Sequence, residues 1–484
     1  MSIRLPSWIL AAGIVVAGCG TPTPAGTANA TTKPYRSAPT ALDRYVATPD
    51  PAYAWKTVLT TDLGKATVSV IDMTSQTWLT TNEVNRTAWR HWLTVVRPKG
   101  ATNRTGLLFI TGGANRDEKP PKPNAELLQV AVASGSVVAE LKMVPNQPLI
   151  FGNDGKERVE DDLIAYTWDK FLRTGDERWP ARLPMTKSAV RAMDTVTAFT
   201  SGAEGGSAPV EKFVVAGGSK RGWTTWTTAA VDRRVVAICP IVIDLLNIEP
   251  SFVHHHSAYG FYAPAVGNYV EQGIMNWQGT PEYAALMKIE EPFMYRDRLT
   301  MPKLMLNACG DQFFLPDSSQ FYFDQLQGPK FLRYVPNTDH SMRNSDAYET
   351  IVAWQHAVLN GTPFPRFGWK EEGPATLRVT AQDAPKAVKL WQATNPKARD
   401  FRLETLGAVW TSTDLKPEAS GTYVGTVTTP SEGWTAYMVE LTYDLGAPVP
   451  LKLTTPVRVT PIALPHGPGK VEVKPKGFLS GRGR

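Results

Sequence analysis

Residues 212–222 read KFVVAGGSKRG, and the residues that follow, Trp223–Ala230, suit a helix. Lys212–Ala216 is a short, continuous apolar run, the pattern of a strand buried on both faces. A strand that ends at two glycines and gives way to a helix through a serine is a tight strand-to-helix turn. Such a turn holds Ser219 with its hydroxyl projecting above the sheet, and small neighbours are needed because bulkier ones would strike the turn. The backbone N–H of Lys220, first in the helix, can then point at negative charge developing on a bound carbonyl. The common form is G-x-S-x-G. Here Arg221 stands where the second glycine is usual, and Gly222 comes one position later.

Outward from this turn, strands and helices alternate. Ala66–Ile71 and His91–Val96 are β-like and predicted to pair as a hairpin. Gly106–Thr111 and Ser136–Leu141 read as buried strands on either side of a helix over Ala125–Ala133. Helices are expected over Glu160–Arg173, Thr186–Thr200, Pro316–Leu326 and Ala347–Leu359, and strands over Val235–Ile243, Lys303–Ala308 and Phe331–Val335. This alternation implies a mostly parallel sheet covered on both faces. Residues 246–300, rich in aromatics and His, interrupt it and read as a lid.

The reactive groups of open α/β sheets gather just past the strands' C-terminal ends. Lys303–Ala308 is followed by Cys309-Gly310-Asp311, and Phe331–Val335 by Pro336-Asn337-Thr338-Asp339-His340. Nucleophile, acid and His in that chain order are the arrangement of the α/β-hydrolase fold. The sequence therefore assigns Ser219 as nucleophile, Asp311 as acid and His340 as base. The loop Thr111-Gly112-Gly113-Ala114 follows an early strand, where the N–H of Gly113 can join that of Lys220 in an oxyanion hole. Asp244, at the end of Val235–Ile243, is the runner-up acid. Asp339 adjoins His340 in sequence, and its side chain is expected to point away.

His254-His255-His256 resembles a metal site. Three consecutive His cannot all face one ion, however, and no H-E-x-x-H or C-x-x-C spacing supports them. They are read as part of the lid, lining the substrate cleft. No dinucleotide fingerprint or P-loop occurs, so neither metal nor cofactor is expected.

The chain has 484 residues, 42% apolar and 20% charged, the balance of a globular protein with more than one domain. Residues 1–19 read as a lipoprotein signal: Arg4, the apolar run Trp8–Val16, then Val16-Ala17-Gly18-Cys19, similar to a bacterial lipobox with Cys19 lipidated. The Thr/Pro/Ala stretch 20–40 reads as a tether, and residues 41–365 as the α/β-hydrolase domain. Short alternating runs over 366–465, among them Leu377–Thr380, Thr422–Val427 and Ala436–Tyr443, suggest an antiparallel β-sandwich. Residues 466–484 read as a flexible tail. Lys470, Lys474, Lys476, Arg482 and Arg484 against Glu472 place most of the formal +6 charge in that tail. The body is left near neutral, which argues against a nucleic-acid partner. Cys239 and Cys309 are read as buried thiols, with a disulfide left open if their strands are neighbours.

GGSKRGWTTW, Pro240-Ile241-Val242-Ile243-Asp244, HHSAYGFYAPAVGNY (255–269), NACGDQFFLPD (307–317) and YVPNTDHS (334–341) resemble the PhoPQ-activated pathogenicity-related protein family. The likeness runs over most of 45–365 and continues through GWTAYMVELTY (433–443). It implies an exported α/β-hydrolase-like protein, distantly similar to peptidases and esterases, with Ser219, Asp311 and His340 as its Ser, Asp and His. The expectation is a lipid-anchored serine hydrolase of the bacterial envelope that cleaves a peptide or ester bond in a small-molecule or peptide substrate. By family analogy it leans to peptidase. The alternative is a non-catalytic binding or signalling lipoprotein on the same scaffold, prompted by Arg221 crowding the turn.

Overall fold

The structure is a computed structural model that describes residues 38–419, 421–469, 471 and 474–480. The signal segment with Cys19 and most of the 20–40 tether lie outside the described residues. Among the described residues no helix is long and apolar enough to cross a membrane.

The chain begins with an antiparallel meander of β1 (Ala54–Asp62), β2 (Ala66–Thr77) and β3 (Ala88–Pro98). The hairpin expected from 66–71 and 91–96 is β2 and β3. The strand β1 escaped the sequence reading because it is a largely exposed edge, with polar residues on both faces. There follow β4 (Thr105–Ile110), β5 (Val138–Leu141), β6 (Lys212–Gly218), β7 (Val235–Ile241), β8 (Lys303–Ala308) and β9 (Lys330–Val335). From β5 onward these lie parallel in the order β5-β4-β6-β7-β8-β9. The crossover between β4 and β5 lets helices cover both faces. This is the α/β-hydrolase fold, with β6 and its following helix, Lys220–Val231, at the centre.

One helix expectation fails. Residues 316–326 form only 3-10 turns, Ser318–Phe321 and Phe323–Gln325. Ser318 Oγ donates to the Leu315 carbonyl and Gln320 Nε2 to that of Asp317, so side chains take acceptors that an α-helix would use.

The C-terminal strands are β10 (Phe367–Glu371), β11 (Thr376–Ala381), β12 (Ala387–Asn395), β13 (Thr411–Asp414), β14 (Thr422–Thr426), β15 (Trp434–Tyr443), β16 (Leu451–Thr454) and β17 (Arg458–Thr460). They are antiparallel, as expected, and lie in two sheets. One is β10-β11-β14; the other, β16-β15-β12-β13, continues the central sheet through β16 beside β9. The apolar faces join one core in which Leu306 and Val335 of the hydrolase sheet share a cluster with Val379 and Val439.

A buried charge also links the two regions. Arg333 on β9 lies 3.0 Å from Asp346 and pairs with Glu440 on β15, whose carboxylate has no other hydrogen-bond or ion-pair partner among the described residues. Arg333→Met strands that carboxylate in the interior and is expected to cost about 3–5 kcal/mol. Chemical denaturation midpoints measure it, and a double change with Glu440→Leu should recover most of the loss. An unchanged midpoint would show that the junction does not depend on the pair.

The end of the chain corrects a second expectation. The described part of 466–480 is not a free tail; it lies across the lid. Phe478 packs edge-on to Phe171 with ring centres 5.5 Å apart, and the amides of Leu479 and Ser480 donate to Glu282 Oε1. The basic composition of the segment hid these anchors, an aromatic ring and a pair of backbone amides with a buried carboxylate to meet them.

Candidate active site

Ser219 sits between β6 and the helix Lys220–Val231 with φ 57° and ψ −127°, a backbone shape costly for any residue but glycine. The turn is held because the Ser219 amide donates to the Ile241 carbonyl at 2.8 Å and the Ser219 carbonyl accepts from Trp223 N. The glycine requirement has moved along the helix. A Cβ at Gly222 would lie 2.8 Å from the Gly217 carbonyl oxygen and from Ile243 Cγ2, so the close approach is at the third residue after Ser219.

Arg221 consequently has room to leave the turn sideways. Its Nε donates to the Val144 carbonyl at 2.5 Å, and its two Nη atoms reach the Glu160 carboxylate at 2.9 and 2.5 Å. The guanidinium passes so close to Gly112 that a Cβ there would meet Nη2 at 2.5 Å. Lys220 Nζ lies 2.8 Å from Glu160 and 3.1 Å from Asp161. Burial alone would raise the Glu160 carboxyl, but Lys220 and Arg221 together hold it at about 2. Glu160 and Asp161 were not singled out in the sequence. The departure of Arg221 from the usual motif was the available signal, since a half-buried guanidinium calls for a carboxylate.

Asp311 and His340 come off the ends of β8 and β9, which are neighbours. Asp311 Oδ1 accepts from the Phe313 amide at 2.7 Å, leaving Oδ2 to accept from His340 Nδ1 at 2.8 Å. Gln312 Oε1 accepts from the His340 amide, and the Phe313 ring centre is 4.3 Å from the imidazole. The ring is thereby fixed in position and tautomer. Asp244, the runner-up acid, is held elsewhere: it accepts from Tyr322 Oη at 2.5 Å and Tyr334 Oη at 2.6 Å. Burial pushes its carboxyl up to about 7 despite those two donors. Asp339 turns away, as expected, and accepts from Ser341 and Gln312.

The structure joins Asp311 to His340 directly. Ser219 Oγ makes no hydrogen bond among the described residues, and it shares with Phe313 the rim of a pocket under the lid. Ile110 pairs with Gly217, so the loop after β4 arrives beside the turn. Gly113 in that loop has φ 135°. Neither its amide nor that of Lys220 has a hydrogen-bond partner among the described residues.

The three His do not line the pocket, which corrects their reading as cleft residues. His254 Nε2 is 3.1 Å from Asp317, itself paired with Arg399 at 2.6 Å. His255 Nε2 accepts from the Ala263 amide, and His256 Nδ1 donates to the Gly467 carbonyl. Each fastens the lid helix Ile248–Tyr259 to a different neighbour, as consecutive helical side chains must. No cluster of His, Cys, Asp and Glu arranged for a metal occurs among the described residues. Cys239 and Cys309 are free buried thiols. Their strands are neighbours, but Ile241 pairs with Leu306, which leaves the two cysteines about 16 Å apart along the sheet.

A family model described as PhoPQ-activated pathogenicity-related protein matches residues 42–402. Autocrine proliferation repressor protein A of Dictyostelium discoideum is 38% identical over 457 residues, covering 88% of this chain and 92% of that protein. That relative is not bacterial, so the likeness says nothing of a bacterial source. Among solved structures, acetyl xylan esterase 1 from Thermoanaerobacterium sp. JW/SL YS485 has 14% identity and a TM-score of 0.46, over 66% of this chain and 92% of that one. Acetyl xylan esterase from Paenibacillus sp. R4 has 16% identity and a TM-score of 0.41, over 62% and 86%.

Proposed function

The chain belongs to the PhoPQ-activated pathogenicity-related protein family, and from that premise we propose that it is a serine hydrolase acting on an ester or amide bond. The observation that carries this reading is the strained Ser219 at the end of β6, in a sheet whose later strands β8 and β9 end in an imidazole held by a carboxylate. His340 Nε2 takes the Ser219 proton as Oγ attacks the carbonyl carbon, and Asp311 stabilises the imidazolium through Nδ1. The free amides of Lys220 and Gly113 receive the oxyanion. His340 then gives its proton to the leaving group, and water repeats the sequence to release the acid. The motive for the binding-protein alternative is weakened, because the Arg221 guanidinium is engaged by the Val144 carbonyl and the Glu160 carboxylate.

The test is labelling with a fluorophosphonate probe followed by mapping of the adduct. Modification of Ser219 supports the reading. A silent protein under conditions that label a control hydrolase overturns it.

In this reading Arg221 braces the oxyanion hole, joining the turn that carries Lys220 to the segment beside Gly112. Arg221→Gly restores the commoner motif, yet it is expected to lower kcat about 10²-fold with KM little changed, the scale of a small misplacement of reacting groups. Steady-state kinetics with and without added guanidinium measure this, and partial recovery by guanidinium is expected. A fully active Arg221→Gly protein would mean that the brace is dispensable.

A further inference from the structure

Beneath the lid, a pocket opens from Ser219 and Lys220 and is walled by aromatic and aliphatic side chains, Trp168, Trp223, Phe252, Tyr283 and Phe314 among them. Three charged residues border it, and each is already matched. Lys220 is held by Glu160 and Asp161, and Asp161 also accepts from Tyr269 Oη at 3.0 Å. Arg182 lies 3.2 Å from Glu290 and donates to the Lys220 carbonyl at 2.7 Å and to Thr224. With Arg221 on Glu160, the cations Lys220, Arg221 and Arg182 balance the carboxylates of Glu160, Asp161 and Glu290. No charge is left over to meet one on a ligand.

We propose that this pocket binds the acyl portion of the substrate and that the acyl group is apolar and uncharged. The proposal rests on the hydrolase reading of Ser219 and names its substrate class. The assignment to the acyl side follows from the position of the imidazole. His340 must protonate the leaving group, and Ser219 and Lys220 line the pocket whereas His340 does not. The leaving group therefore stays on the His340 side, and what remains attached to Ser219 enters the pocket. An apolar chain gains about fourfold in affinity for each methylene taken from water. A charged chain would lose its hydration with no partner to replace it.

The experiment uses the full chain with p-nitrophenyl acetate, butyrate, hexanoate and hemisuccinate, alongside fluorophosphonate labelling of the same preparation. kcat/KM is expected to rise about fourfold per methylene from acetate towards hexanoate, until the pocket is filled. Hemisuccinate is expected at least about 100-fold below butyrate. Met275, on the lid wall, is the test position. Met275→Trp should shrink the advantage of hexanoate over acetate, a ratio that holds its meaning even if total activity falls. A labelled enzyme that turns over acetate as well as hexanoate, or hemisuccinate as well as butyrate, overturns the pocket proposal and leaves the Ser219 reading standing. An enzyme neither labelled nor active on any of the four esters overturns both.

Discussion

Ser219→Ala is expected to lower turnover by about 10⁴- to 10⁶-fold while leaving the thermal midpoint within about one degree of wild type. The activity loss follows from removing the atom that, in the proposed mechanism, forms the covalent intermediate. What remains is the catalysis that bound water obtains from the oxyanion amides and binding alone. The unchanged midpoint follows from a separate observation: Ser219 Oγ has no hydrogen bond among the described residues. Its removal therefore strands no partner, and alanine meets the same backbone cost at φ 57° as serine does. Turnover of whichever ester the wild type hydrolyses, together with a thermal scan, measures both halves. Near-normal turnover by the variant would remove Ser219 from the chemistry. A large fall in midpoint would show that the hydroxyl serves the fold.

The parts legible in the sequence were those where local pattern and tertiary role coincide. The run Lys212–Ala216 became β6, which runs on through Gly218, and Lys303–Ala308 became β8 to the residue, because a strand buried on both faces needs an uninterrupted apolar run. The placement of Ser219, Asp311 and His340 just past strand ends was legible because each follows such a strand. Features set by contacts distant in sequence were not. The join of β16 to β9 involves residues 122 positions apart, Thr454 and Leu332, and nothing in either stretch names its partner. The docking of Phe478 on Phe171 was hidden by the charge around it. The pocket is similar: its walls come from segments between Asp161 and Phe314 that only the fold assembles. The His triplet misled because residue type suggested a shared task, whereas a helix turns consecutive side chains to different faces.

The choice between two candidate acids gives the second large effect. Asp311→Asn is expected to lower kcat by about 10⁴-fold, whereas Asp244→Asn should leave kcat within about tenfold. At Asp311 the carboxylate has two tasks. Oδ1 fastens the loop through the Phe313 amide, and Oδ2 accepts from His340 Nδ1. An asparagine can keep the first bond while presenting its NH₂ to the imidazole. That donor favours the tautomer with the proton on Nε2, which cannot accept from Ser219. The expected loss therefore lies in kcat, with little change in stability, and should lessen as pH rises and hydroxide can assist. Asp244 differs because its partners are the hydroxyls of Tyr322 and Tyr334, and with a carboxyl near 7 it already carries a proton part of the time at neutral pH. Its replacement should disturb packing more than chemistry. Steady-state kinetics across pH and thermal midpoints for both variants decide between them. Equal losses in kcat would mean that the imagined division of labour, one acid for the imidazole and one for the core, is mistaken.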